Sequence, residues 1–313
     1  MSIPRRYFSI IFSLLLIINA TAALACEMCT LPRLGKQKDA SNESWFAEYY
    51  FELQNWQEIN PREAHTLHHQ GHHVHDKTKE YIHHYSLGRK FDNGLTLIAD
   101  LPYVIRKSLE IHSHATLGDE LRSEGLGDLH MMGLYQLWAS PKNHAISGIA
   151  GVKFPTGETK ETNPQGERFE AELQPGSGSF DYIFGGLYKG RGQACELTAN
   201  LIYVFKTEGD QHYEFGDSLI TSALWQYVVP VNDNTVLKLG VDGNLQYEQK
   251  HEDHGATVED SGGVTLLLGP ALSVEFNDRA SLFASLHLPA HQNLGGVHQE
   301  VESIWNAGLK LHW

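Results

Sequence analysis

Long apolar runs are missing from most of this sequence. After residue 25, no segment approaches the ~18 consecutive apolar residues of a transmembrane helix. Two classes stay open, a soluble exported protein and a barrel that crosses a membrane with strands. Cysteine is scarce: Cys26, Cys29 and Cys195 allow at most one intramolecular disulfide, with one thiol left over. Positive charge is scarce too. Lys and Arg number 24 against 38 Asp and Glu, a net −14 that argues against nucleic acid as a partner. The acidity fits a polar, ion-attracting interior or a cell-surface face. No spacing of an activated Ser or His suggests an outer-membrane enzyme, so the expectation is a protein without catalysis.

What is present begins with an export signal. Arg5 and Arg6 precede an apolar stretch from Phe8 to Ile18, and Ala23-Leu24-Ala25 forms a small-residue cleavage site. Residues 1–25 are therefore read as a signal peptide, and cleavage makes Cys26 the first mature residue. Two positive charges and no acids leave with it, taking the formal charge from −14 to −16.

Beyond the signal, alternation of apolar and polar residues dominates. In Val236 to Lys250, Leu237, Leu239, Val241, Leu245 and Tyr247 share one face; Lys238, Asp242, Asn244, Gln246 and Glu248 share the other. Cys195 to Lys206 follows the same rule, as does the stretch with Trp45, Ala47, Tyr49, Phe51 and Leu53 opposite Glu48, Glu52 and Gln54. A period of two over ten or more residues means strands with one apolar and one polar face. Soluble strands average about half that length. Trp45, Trp56, Trp138, Trp225, Tyr227 and Trp305 fit aromatic girdles at the two membrane interfaces.

Strands are expected at 45–56, 80–91, 95–111, 127–139, 144–156, 179–190, 194–208, 218–230, 235–250, 261–276, 279–290 and 299–313. Short turns alternate with long loops between them, as in barrels with periplasmic turns and extracellular loops. The fold class is all-β: a transmembrane antiparallel up-and-down β-barrel of about 12 strands. The barrel occupies 45–313, after a periplasmic segment 26–44. The expected location is the outer membrane of a Gram-negative bacterium, with lipid around the barrel.

The last strand carries Trp305, Ala307, Leu309, Leu311 and Trp313 on one face. Its aromatic ending resembles the signal read by the outer-membrane assembly machinery, a further expected partner. Three other stretches resemble a known family: Gly125-Leu126-Gly127-Asp128 opening the fourth strand, Gly151 to Gly157 closing the fifth, and Gly176 to Tyr182 leading into the sixth. They are similar to the outer-membrane channel family named after the meta-pathway of phenol degradation, many of whose members are described simply as transporters. The resemblance implies a barrel and a transport role. It does not carry phenol over as the solute.

Eight of the nineteen histidines lie between His65 and His84. His65, His68, His69, His72, His73 and His75 form a tract around Gly71 with the composition of a zinc, copper or nickel binder. His112, His114, His212, His251, His254, His291 and His298 fall in or beside long loops at the same end, with Asp119, Glu252 and Asp253 as auxiliary oxygen ligands. The competing readings are a solvated loop that binds metal adventitiously and one that charges with pH. His84, His130 and His287, on strands, are expected in the lumen or an interface. Cys26 and Cys29 are open to three readings: a disulfide or redox pair, half a metal site, or lipidation of Cys26. Cys195 is expected to face lipid. Glu48, Glu52, Asp100, Arg106, Glu196, Lys238, Asp242, Glu248 and Lys310 are expected to line a charged lumen. The leading function is a passive channel for small solutes or metal cations, and the alternative is a non-conducting barrel that binds metal or a redox partner.

Overall fold

The computed structural model describes residues 44–57, 75–112, 116–277, 279–295 and 299–313. The expected signal segment 1–25, Cys26, Cys29, His65, His68, His69, His72 and His73 lie outside the described residues. Alternating segments form β1 (Ser44–Trp56), β2 (His75–Lys90), β3 (Leu95–His112), β4 (Thr116–Leu126), β5 (Leu129–Ser140), β6 (His144–Phe154), β7 (Asp181–Arg191) and β8 (Cys195–Phe205). Then come β9 (Tyr213–Glu214), β10 (Ser218–Asn232), β11 (Thr235–Glu248), β12 (Glu252–Asp253), β13 (Ala256–Thr257), β14 (Gly263–Phe276), β15 (Ala280–Leu294) and β16 (Val301–His312).

Twelve staves close into a ring. β4 and β5 lie end to end against β3, with Tyr103 opposite Leu126 and Asp100 opposite His130. They form one stave. β1 pairs with β2 on one side and β16 on the other, so no edge is left open. β9, β12 and β13 make a separate three-stranded ladder in the long loops.

The fourth stave departs from the sequence reading. Residues 116–126 were expected in a loop; they instead continue the pairing with β3. Here Arg122 and Glu124 face outward and pair with each other, while Leu121 and Ser123 are buried. An outer face of charges belongs above the lipid, and it removes the apolar stripe that marks a strand. The glycine motif therefore interrupts this stave rather than opening it. Leu126 is exposed and His130 buried, so the inward set moves from odd to even numbers across Gly127 and Asp128. One extra residue accounts for the switch.

Burial confirms which wall meets lipid. Leu97, Tyr135, Leu201, Val241, Leu268 and Leu282 are exposed, whereas Glu52, Asp100, Lys153, Lys238, Asp242 and Lys310 are buried. That inverts a soluble protein, and only a closed barrel satisfies every backbone group in hydrocarbon while holding charges inside. Trp45, Trp138, Trp225, Tyr227 and Trp305 are exposed on the outer wall. Trp56 is not. Its even position follows Glu52 and Gln54 inward, and it packs with Leu267, Val301 and Ile304. The free thiol Cys195 is paired across the sheet with outward Tyr227.

The connections sort by end. Residues 91–94, 141–143, 192–194 and 233–234 join staves at one end, where Asn277 also follows β14, and Gly94, Asn143 and Asn277 take the left-handed backbone that tight turns need. The chain end closes there as well, with the Trp313 amide donating to the Trp45 carbonyl at 3.0 Å. By the rule for such barrels, this end faces the periplasm. Arginine in place of Leu201, which is 55% exposed on the lipid face, is expected to cost about 2–4 kcal/mol. Reversible denaturant unfolding in lipid vesicles measures it, with inward-facing Asn200→Ser as the mild control.

Candidate permeation path and outer mouth

The interior has two chemically different sides. On the staves from β3 to β10, inward side chains include Ile98, Met132, Ile149, Ile183, Ile202 and Ile220, which pack into one apolar cluster. From β8 round to β16 and β1, inward polar side chains stand among apolar ones such as Leu224, Leu267 and Ile304. Lys310 pairs with Glu48 at 2.8 Å. Lys238 bridges Glu196 and Glu275, each at 2.7 Å. His287 lies 3.5 Å from Asp242 and 3.4 Å from the Asn306 amide. Gln226 donates to Ser273, and Asn200 to Ser222. Near the outer end, Lys206 pairs with Glu248 at 2.6 Å. The carboxylates Glu48, Glu196, Asp242, Glu248 and Glu275 outnumber the lysines Lys206, Lys238 and Lys310. This lane runs the height of the barrel beside the apolar cluster.

A second polar group follows register across the other wall. Asp100 accepts from Ser86 at 2.5 Å and lies 3.0 Å from His84 Nδ1. His84 stacks on Tyr50 at 4.3 Å between centroids. His130 is opposite Asp100 on one side and Lys153 on the other. Lys153 pairs with Asp181 at 2.6 Å and approaches Asp128 at 3.5 Å. Glu52 accepts from Gln54 at 2.8 Å, and Arg106 pairs with Glu80 at 2.7 Å. His84, His130 and His287 all point inward and are buried. His75 begins β2, and the rest of its tract lies outside the described residues.

Several interior residues escaped the sequence reading, among them Glu80, Asp128, Lys153, Asp181 and Glu275. Lys153 and Asp181 are opposite in register on β6 and β7. A lone lysine in an apolar strand was the available signal, but its partner needs the register.

The outer mouth is crossed by the connection 155–180, whose middle holds a short 3-10 turn at Ala171–Leu173. Its base is pinned by Asp128, which accepts from the Gly157 amide at 2.8 Å, the Ser177 amide at 2.9 Å and the Ser177 hydroxyl at 2.7 Å. A Cβ on Gly157 would sit 2.7 Å from Gly176 Cα, so the two arms of the loop meet only because both are glycine. The family-like motifs thus converge on one junction.

From that base the loop reaches both walls. Arg106 donates to the Glu172 carbonyl, and Ser123 donates to the Leu173 carbonyl at 2.6 Å. On the far side, the Glu172 carboxylate accepts from Tyr213 at 2.6 Å and lies 3.3 Å from His251 Nδ1. β3 and the β11–β14 connection lie on opposite sides of the ring, so residues 171–174 form a strap across the opening. Thr159 and Arg168 both donate to Asp210. The Thr159 hydroxyl, with Arg168 beside it, outweighs burial and holds the Asp210 carboxyl at about 2. Burial, together with neighbouring Glu172, pushes the Tyr213 hydroxyl up. For His251, burial works downward, yet Glu172 and Glu248 prevail and the net shift is upward.

A histidine with a raised folded pKa stabilises most below its unfolded value of about 6.5, and the contribution is lost as pH rises through the folded value. The strap is therefore expected to loosen on the alkaline side. Amide exchange at 171–174, corrected for intrinsic chemistry, should accelerate as pH rises through that range. His251→Ala should abolish this pH dependence and speed exchange about tenfold or more at neutral pH, the size of one charge-assisted hydrogen bond.

Comparison with known proteins agrees with this architecture. The structure resembles the crystal structure of an outer membrane channel from Pseudomonas putida F1, with a TM-score of 0.65 at 14% identity, covering 89% of this chain and 98% of that one. The beta domain of the Bordetella autotransporter BrkA matches with a TM-score of 0.49 at 9% identity, covering 86% and 99%. No curated protein sequence matches the chain. The family described as "Putative MetA-pathway of phenol degradation" matches residues 77–289, which include β3 to β14 and the strap. The protein is a closed twelve-stave barrel of the Gram-negative outer membrane, and the chain belongs to that family.

Proposed function

We propose that the protein is a passive channel for small hydrophilic solutes, favouring cations, with metal capture by the His-rich connection between β1 and β2. The observation that carries the first part is the polar lane. A barrel with a purely structural interior has no need for a file of ion pairs along one wall and further buried charges, such as Lys153 and Asp181, on the other. The interior also holds buried polar atoms with no protein partner, including His84 Nε2 and both ring nitrogens of His130. Buried polar groups of this kind are ordinarily satisfied by water, which supports a hydrated path. The carboxylate excess in the lane supports cation preference. The solute class follows from this lining and not from the family's description.

A catalytic reading gains nothing from the Ser86, Asp100 and His84 group. Asp100 sits between the other two, so the histidine is hydrogen-bonded to the carboxylate and does not activate the serine.

Single-channel recording in planar bilayers is expected to show discrete conductance with cations preferred, and Asp242→Asn should reduce that preference. A folded protein that never conducts overturns the channel and leaves the scaffold reading. For the tract, calorimetry with Zn²⁺ and Cu²⁺ is expected to lose high-affinity equivalents when 65–75 are deleted, and equal binding by both proteins removes metal capture there.

A further inference from the structure

We propose a separate transition-metal site on the outer mouth, formed by His212 and His254, that takes one divalent ion such as Zn²⁺, Cu²⁺ or Ni²⁺ with water or solute completing its shell. It goes beyond the tract because it uses none of its residues, and it stands whether or not the barrel conducts.

The pair is held by the ladder above the barrel. Asp253 is opposite Tyr213 in the pairing of β12 with β9, and the His254 amide donates to the His212 carbonyl at 2.9 Å. The two connections are thereby fastened together one residue from each histidine. Their rings lie 5.1 Å apart between centroids, tilted at 49°. Two imidazoles bound through nitrogen at about 2.0–2.1 Å to one tetrahedral zinc place their centroids about 5 Å apart.

The second observation is the partner of each ring. His212 Nδ1 lies 2.7 Å from Glu208 Oε1, and His254 Nδ1 lies 2.7 Å from Asp253 Oδ1. A carboxylate on Nδ1 holds the proton there and leaves Nε2 with a lone pair. Metal-binding histidines are typically oriented in this way. Here the arrangement occurs twice, on two rings already at ligand spacing, and both are well exposed to arriving ions.

The backbone gives a third. His212 and His254 both adopt positive φ, 57° and 51°, where glycine and asparagine are the economical residues. Histidine is one of the few non-glycine residues that enter this region readily, so both rings are presented from tight, defined turns. Glu214 and Glu252 are opposite each other on the same ladder, and Asp217 follows close behind. This concentrates negative charge and attracts a cation. Among the described residues, no group of three or more His, Cys, Asp or Glu side chains is placed to enclose a metal. Two protein ligands therefore make a labile site, suited to loading and release at a pore mouth rather than permanent retention.

The full-length protein in lipid vesicles tests this. Carbethoxylation of each histidine by diethyl pyrocarbonate, mapped by mass spectrometry, is followed as ZnCl₂ is added. His212 and His254 are expected to be protected together, at one common zinc concentration. His254→Asn suits the left-handed backbone and should preserve the loop, yet abolish protection of His212. Glu208→Gln is expected to raise the protecting zinc concentration about tenfold or more. Deletion of 65–75 should leave protection of the pair unchanged, which separates this site from the tract. The proposal is overturned if His212 is protected equally well in H254N, if neither is protected at zinc levels that fully protect the 65–75 tract, or if protection disappears with the tract.

Discussion

Every backbone amide and carbonyl inside a bilayer must find a partner in the protein, since hydrocarbon offers none. In this chain the closure of β1 onto β16 meets that demand, with pairing that runs from Phe46 opposite His312 to Trp56 opposite Val301. The remaining features follow from it. A closed ring has an inside, and alternate residues must occupy it. The inside is screened from lipid, so it tolerates Lys153, Asp181, Arg106 and Glu80 as ion pairs that a lipid-facing wall would reject. Removing one partner of such a buried pair is costly, because the other charge is stranded.

Closure also dictates where sequence freedom lies. Turns at the periplasmic end need only return the chain, and Asn143 or Gly94 in the left-handed region suffices. At the outer end, the connections from β6, β8 and β11 reach over the opening. Their contacts are mainly polar and directional: Asp128 holding the two arms of one loop, Glu172 joining two walls, and the β9, β12 and β13 ladder fastening two loops to each other. Inside the ring, buried ion pairs lie on both walls around the apolar cluster.

Much of the barrel was legible because lipid enforces a pattern on the residues that meet it. β11 shows the period of two along its whole length and β8 over its first half, before Ile202 and Val204 bring apolar side chains to the inner face, so the faces were readable from parity. β4 was missed because Arg122 and Glu124 stand where lipid no longer selects apolar side chains. Trp56 was misplaced because its chemistry suggested an interface while its parity pointed inward. The mouth was harder still. Glu172, Tyr213 and His251 are far apart in sequence, and nothing in the periodicity of a loop tells which wall it will touch. Charged residues of the lumen were named from parity alone, but their partners, such as Glu196 and Glu275 on Lys238, required the register of several staves at once.

The strap's two attachments are of different kinds. On the β3 and β4 wall it is held through main-chain carbonyls, those of Glu172 and Leu173, which any side chain at these positions would still present. On the opposite wall residues 171–174 are held through the Glu172 side chain, by Tyr213 and His251. Just before them, Gln211 donates to the Phe169 carbonyl and Arg168 pairs with Asp210. The middle of the strap therefore depends on one carboxylate: substituting Glu172 would release residues 171–174 from Tyr213 and His251, while Phe169 and Arg168 keep the connection fastened on that side. Sequence drift at position 172 would thus loosen the centre of the strap and leave the barrel wall unchanged.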